Sequence, residues 1–158
     1  MSHLIKIGAD FKPLPAEAEE WPFVQNIHTK LIWTNFESQR VTGCRAVELM
    51  TRIGGANSAE RIAATEELFG AETAARVTLE GFRLATVDEL FALADRTRHS
   101  PAIDIAFFPG CKNDWYWSST PAAFSPSDFA WVVLFAYGGA FWYGQDCNGF
   151  VRAVRAGQ

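Results

Sequence analysis

The hydrophobic period of this chain changes once, and the change limits the folds open to it. Between Ala46 and Leu93 apolar residues recur every three or four positions, and from Trp115 onward they recur every two. The first spacing lines one face of a helix and the second alternates across a strand. Helices first and sheet last is the order of an α+β domain, not of an alternating α/β chain. The length of 158 residues fits one domain with a real core, and an apolar share of 49% argues against disorder.

The helical block carries its own punctuation. Ala46, Leu49, Met50 and Ile53 share a face, and Gly54-Gly55 stops the pattern. Ser58 is the expected N-cap of a second helix through Phe69, with Ile62, Thr65, Leu68 and Phe69 as its stripe. Gly70 stands where a C′ glycine belongs, and Glu72 to Val77 adds a turn or two. Thr86-Val87-Asp88-Glu89 is a capping box: the hydroxyl of Thr86 accepts from the Glu89 amide, and the carboxylate reaches back. Leu90, Leu93 and Ala94 then face the core, and His99-Ser100-Pro101 ends this helix.

Strand signals flank the helices. Residues 1–20, with Pro13, Pro15, Glu17, Glu19 and Glu20, show no period and read as an arm. Phe23 to Gln25 and Leu31 to Thr34 form a hairpin around a turn at Asn26 to Lys30. Phe129 to Ala136 is apolar at odd and even positions alike, which predicts a central strand covered on both faces. Gly138-Gly139 turns the chain into a strand from Ala140 to Gln145. Asn148-Gly149 predicts a tight turn, and Phe150 to Arg155 a last strand with Phe150, Arg152 and Val154 on one side. The tail is thus expected to be a small antiparallel sheet.

Composition narrows function. The net charge of −4 excludes nucleic acid as the main partner, since phosphate binding needs a basic patch. Apolar runs fall short of the roughly 20 residues a membrane helix requires, and Met1 to Pro15 has no secretory h-region. The expected location is therefore cytoplasmic, virion-associated or exported without a cleaved signal, with no membrane insertion. Aromatic residues reach 14%, with six tryptophans, and Trp115, Trp117, Trp131 and Trp142 crowd the last third. A cluster that dense fills a core and leaves some rings outside it.

Motifs for catalysis are missing. His3, His28 and His99 have no second ligand at metal spacing, and Cys44, Cys111 and Cys147 are too scattered for zinc or a disulfide framework. Lys112-Asn113-Asp114 offers too few oxygens for calcium. Asp114, Asp128 and Asp146 sit among turn residues, although a carboxylate pair around a sugar cleft is not excluded. The expectation is a non-enzymatic domain with no cofactor and no obligatory metal.

Ordered blocks carry a family resemblance. Trp21-Pro22-Phe23-Val24 with Thr29-Lys30-Leu31-Ile32-Trp33 comes first, followed by Gly81-Phe82-Arg83-Leu84-Ala85-Thr86-Val87-Asp88-Glu89-Leu90. Pro101 to Asp104, Phe108-Pro109, Tyr116 to Thr120, Ala130 to Val133 and Val151 to Arg155 complete the set. The series resembles the C-terminal domain of a bacterial collagen-like adhesin (the Lcl C-terminal domain), over roughly residues 21–157. Ala85 replaces the family's usual proline, and the helical stretch near 54–78 resembles an insertion. The resemblance implies a single C-type-lectin-like domain over residues 21–158, close in fold to formylglycine-generating enzymes, that binds ligands rather than catalysing. The catalytic cysteines of those enzymes and the calcium motifs of lectins have no match here.

Some proteins of this fold are the variable proteins of diversity-generating retroelements, whose C-terminal codons are mutated at template adenines. Leu134, Ala136, Tyr137, Gly139, Phe141, Tyr143, Gly144, Cys147 and Asn148 are residue types reachable from an Asn codon in that way. Trp142 and Gln145 are not, and so read as scaffold. Phe124, Ser125, Ser127, Asp128 and Phe129 extend the same expected face. The resemblance thus implies a variable surface for a protein or glycan ligand, with a homo-oligomer as one route to useful avidity. The alternatives are an ordinary lectin-like or structural surface subunit and, third, an enzyme.

Overall fold

The computed structural model describes residues 3–157; Met1, Ser2 and Gln158, the outer ends of the expected arm and domain, lie outside the described residues. Its architecture is α+β. The elements run β1 (Leu4–Ile7), β2 (Phe23–Asn26), β3 (Leu31–Thr34), β4 (Val41–Thr42), α1 (Gly43–Gly54), α2 (Ser58–Phe69), α3 (Ala71–Arg76), β5 (Arg83–Leu84) and α4 (Val87–Leu93). The chain closes with β6 (Trp115–Pro121), β7 (Phe129–Leu134), β8 (Gly139–Gly144), β9 (Asn148–Gly149) and β10 (Ala153–Ala156).

Most helix signals hold. In α1, Ala46, Leu49, Met50 and Ile53 are buried, and the hydroxyl of Thr42 caps the Arg45 amide. Gly54 allows close approach, because a Cβ there would collide with the Phe82 carbonyl oxygen. Two details of α2 differ. Asn57, one residue earlier than expected, is the N-cap and accepts from the Glu60 amide, while Ser58 is already helical. The buried stripe is Arg61, Ala64, Thr65 and Leu68, and Ile62 is exposed. Ala64 and Leu68 join the core that also holds Ala46, Leu49, Met50 and Ile53 of α1. Gly70 closes α2 at φ 96°, and α3 follows at once. The capping box of α4 is complete, but the helix stops at Leu93, well before His99-Ser100-Pro101. Its chain turns away at Ala94 because the next polar groups bond each other: Asp95 takes the Thr97 amide and hydroxyl and the Arg98 guanidinium.

Strand pairing departs further from expectation. The tail does not form one sheet. β10 leaves it and inserts between β3 and β5, giving a five-stranded sheet in the order β1-β2-β3-β10-β5. The expected arm supplies β1, paired antiparallel along β2. Asn148-Gly149 is not a tight turn but β9, which pairs with β4; the reversal lies earlier, where the Cys147 amide donates to the Gly144 carbonyl at 2.9 Å. A separate three-stranded sheet contains β6, β7 and β8, with β7 in the middle. Coverage of β7 is uneven: Ala130, Val132 and Val133 are buried, whereas Phe129, Trp131 and Leu134 are half-buried.

Two cores result, and period-two strands feed both. Phe23, Ile32, Ala153, Trp117 and Val132 pack with α1 and α2. Their neighbours Val24, Trp33, Val154, Tyr116 and Val133 pack with Leu90 of α4 and with Ile103 and Phe108. Arg152, fully buried, ties the last strand to the first hairpin. Its guanidinium donates to the Thr34 carbonyl at 2.5 Å, pairs with Glu37, and lies 4.6 Å from the Phe108 ring. Burial opposes its charge, but Glu37 outweighs that and holds its pKa above the ordinary value.

Candidate recognition surface

The register of the three-stranded sheet sorts its side chains into two faces. Opposite residues of an antiparallel pair share a face. Gly139 lies opposite Leu134, Phe141 opposite Val132, and Tyr143 opposite Ala130. Trp115 and Trp117 join this face through their partners Leu134 and Val132. The other face holds Trp142 opposite Trp131, Gly144 opposite Phe129, and Ala140 opposite Val133.

On the first face the rings form a row running from solvent into the core. Tyr137 stands edge-on to Phe141 at 6.3 Å, and Phe141 edge-on to Trp115 at 5.5 Å. Trp115 stacks on Tyr143 at 5.2 Å, and Tyr143 meets buried Trp117 at 5.7 Å. The indole of Trp117 is fixed by its hydrogen bond to the Val41 carbonyl, 3.0 Å away. Exposure rises outward, from 1% at Trp117 to 38% at Phe141 and 55% at Tyr137, so one end of the row is core and the other is surface. Gly139 makes room for it: a Cβ there would stand 2.7 Å from Phe141 and 3.1 Å from Tyr137. Beside Tyr143 lies a polar rim. Arg40 donates to the Asn148 carbonyl at 3.1 Å and approaches Asp114 at 3.6 Å. Burial first, then the Cys147 thiol, raises the Tyr143 phenol above its ordinary pKa, so it stays neutral and able to donate.

The second face carries a separate cluster. Phe124 packs on Phe129 at 5.5 Å and edge-on to Trp142 at 5.8 Å, and Trp142 meets Trp131 at 6.0 Å. The loop beneath it is held by Ser125, whose hydroxyl donates to Asp128 at 2.9 Å, while Ser127 is exposed. Gln145 binds this loop through the Pro126 carbonyl and receives the Cys44 amide on its own carbonyl.

The expected site residues therefore do not form one surface. Leu134, Gly139, Phe141 and Tyr143 share the first face, with Tyr137 and half-buried Ala136 in the turn at its end. Phe124, Phe129 and Gly144 belong to the second face, with Ser125, Ser127 and Asp128 in its supporting loop. Cys147 and Asn148 follow the end of β8. Trp142 is 56% exposed and stands at the surface of its face beside Phe124. Trp115, Arg40 and Asp114 were missed as neighbours of the row. The alternation Trp115-Tyr116-Trp117 places Trp115 with Trp117, but only the pairing of β6 to β7 brings Phe141 beside them.

Concave sites lie elsewhere. A groove of about 740 Å³ runs past Trp33, Leu93 and Asp95, and one of about 640 Å³ past Trp21, Asn35 and Pro109; neither includes Tyr137, Phe141 or Tyr143. The aromatic surface is open, a shape suited to a large partner rather than an enclosed small molecule. The thiols of Cys44, Cys111 and Cys147 are free; Cys111 is buried, and that burial raises its pKa. Among the described residues, no helix is long and apolar enough to cross a membrane. Comparison with curated proteins gives no match. The Lcl C-terminal domain model matches residues 22–155, nearly the whole chain and the same span as the ordered blocks, and the chain belongs to that family.

Proposed function

We propose that this chain is a surface-recognition domain that binds a protein or glycan through the aromatic surface around β8 and performs no catalysis. The supporting observation is the graded row Tyr137, Phe141, Trp115, Tyr143 and Trp117. Its inner end is fixed by the core, and each ring along it has few rotors to lose on binding. Rigid aromatics with few rotors give large contact area at small entropic cost. Membership in the Lcl C-terminal domain family supports a surface or adhesin-like role.

The finer reading is a variable surface of C-type-lectin-like kind, diversified by a retroelement. Main-chain bonds between β7 and β8 hold whatever side chains the strands carry. That suits variation at Leu134, Ala136, Tyr137, Phe141, Tyr143, Gly144, Cys147 and Asn148, and at Phe124, Ser125, Ser127, Asp128 and Phe129. Gly139 is the least tolerant of the set, because any side chain there displaces two rings.

Two experiments test these readings. Binding to a glycan array and to whole-cell surface protein is compared for the native chain and a Tyr137→Ala, Phe141→Ala, Tyr143→Ala triple variant with unchanged circular dichroism. Loss of binding supports the aromatic surface, and equal binding moves the site elsewhere. Sequencing the gene across one source population addresses diversification: differences confined to these positions support it, and scattered or absent differences overturn it.

A further inference from the structure

β8 is the free edge of its sheet. The Gln145 amide donates to the carbonyl of Asp128, its opposite residue, which fixes the phase of the ladder. Gly139, Phe141 and Tyr143 therefore bond toward β7, and the main chains of Ala140 and Trp142 point outward. Among the described residues, no other strand pairs with this edge. Chains that must stay single blunt such an edge with charge, proline or a bulge. Gly139–Gly144 contains no charge and no proline, and its register with β7 runs unbroken.

We propose that two copies of this chain pair antiparallel through β8, in the register that sets Trp142 opposite the partner's Trp142. This register makes the strand self-complementary. Trp142 meets its own copy at the two-fold axis, and Ala140 meets the partner's Gly144, so small residues flank the large pair. Trp131 already stands edge-on to Trp142, so the axis completes a row of four indoles across one joined sheet. The same register brings the ends of the strand together. Gly138 falls opposite the partner's Asp146; because Gly138 is itself buried beneath Arg96, Ala94 and Ala102, the contact at this end falls to the Arg96 side chain. Arg96 and Asp146 are both exposed, and among the described residues neither has an ion-pair partner within the chain. The two-fold axis makes the contact twice.

The proposal rests on the edge and its charges, not on any ligand. The exposed parts of Trp142 and Phe124 offer roughly 250 Å² of aromatic surface, which with the strand main chain suits a small interface of modest affinity. Both first faces would lie on one side of the joined sheet, since opposite residues of an antiparallel pair share a face.

Sedimentation of the full chain from micromolar to near-millimolar concentration tests it. A reversible dimer is expected. Trp142→Lys, at an exposed position, places like charges at the axis and is expected to raise the dimer Kd on the order of 30-fold or more, with circular dichroism unchanged. Arg96→Asp is expected to weaken pairing by about 5-fold, since each exposed ion pair contributes little, and adding Asp146→Arg to restore it. A chain that stays monomeric throughout overturns the proposal. So does a dimer indifferent to Trp142→Lys, and failure of the charge swap to restore pairing overturns the register. If the chain is a monomer that instead takes up an extended peptide along β8, the second copy is the wrong occupant.

Discussion

The two larger sheets of this molecule are both antiparallel and largely apolar, yet they end in opposite conditions. The five-stranded sheet gathers strands from both ends of the chain, is fed by two cores, and is tied by a buried arginine. The three-stranded sheet is continuous in sequence, has its fully buried residues in β6 and β7, and leaves β8 as an open edge that touches the cores through half-buried Tyr143 and Ala140. In the first, a substitution at a buried position is felt through packing on one core or the other. In the second, the main-chain ladder persists while outer side chains meet solvent. The lesson is that burial, not strand character, separates scaffold from surface here.

The largest expected effect attacks the tie. Arg152→Ala leaves the Glu37 carboxylate buried without its partner, at a cost of about 3–5 kcal/mol. Urea unfolding should show most of the stability gone, and a change below about 1 kcal/mol would break the comparison. Trp117→Ala comes next, at about 3–4 kcal/mol, as a large buried ring fixed by the Val41 carbonyl. Because Trp117 also supports Tyr143, thermal melting and ligand binding should fall together.

Gly139→Ala sharpens the boundary between the sheets. Its methyl group displaces Phe141 and Tyr137, which have room to move outward, so about 1 kcal/mol is expected. Tryptophan fluorescence should report the altered setting of Trp115. Tyr137→Ala should change stability by less than about 0.5 kcal/mol; a large loss would mean that the open end of the row is structural.

A further effect, comparable in size to that of Gly139→Ala, concerns pH. The Arg83 guanidinium first, and the Thr86 amide after it, hold the Glu89 carboxyl below its ordinary pKa, against the opposing effect of burial. A depressed folded-state value stabilises above the unfolded pKa of about 4.3, and this stability is lost as pH falls through the folded value. Glu89→Gln should therefore cost about 0.5–1 kcal/mol at neutral pH and flatten the acid limb of the stability curve. An unchanged acid limb would show that the pair contributes nothing.

Local chemistry was readable in the chain. The capping box at Thr86 and Glu89, the buried face of α1, the Gly70 terminus and the Phe23–Thr34 hairpin are made by groups a few residues apart, so sequence spacing specifies them. The ordered blocks likewise marked the family, and the change of hydrophobic period marked the α+β class. What depended on distant partners was not readable. Whether the last strand joins its neighbours or crosses to β3 depends on Arg152 finding Thr34 and Glu37. Whether Trp142 is core or surface depends on which strand stops at the edge. The division of the expected site into two faces depends on the pairing of β7 with β8, since a shift of one residue exchanges every side chain between faces. Sequence by itself determined the buried face of α1, the capping box and the first hairpin, because their hydrogen bonds and caps close within a few residues. Tertiary structure alone decided which rings are exposed, because exposure is a property of what packs above a residue and not of the residue.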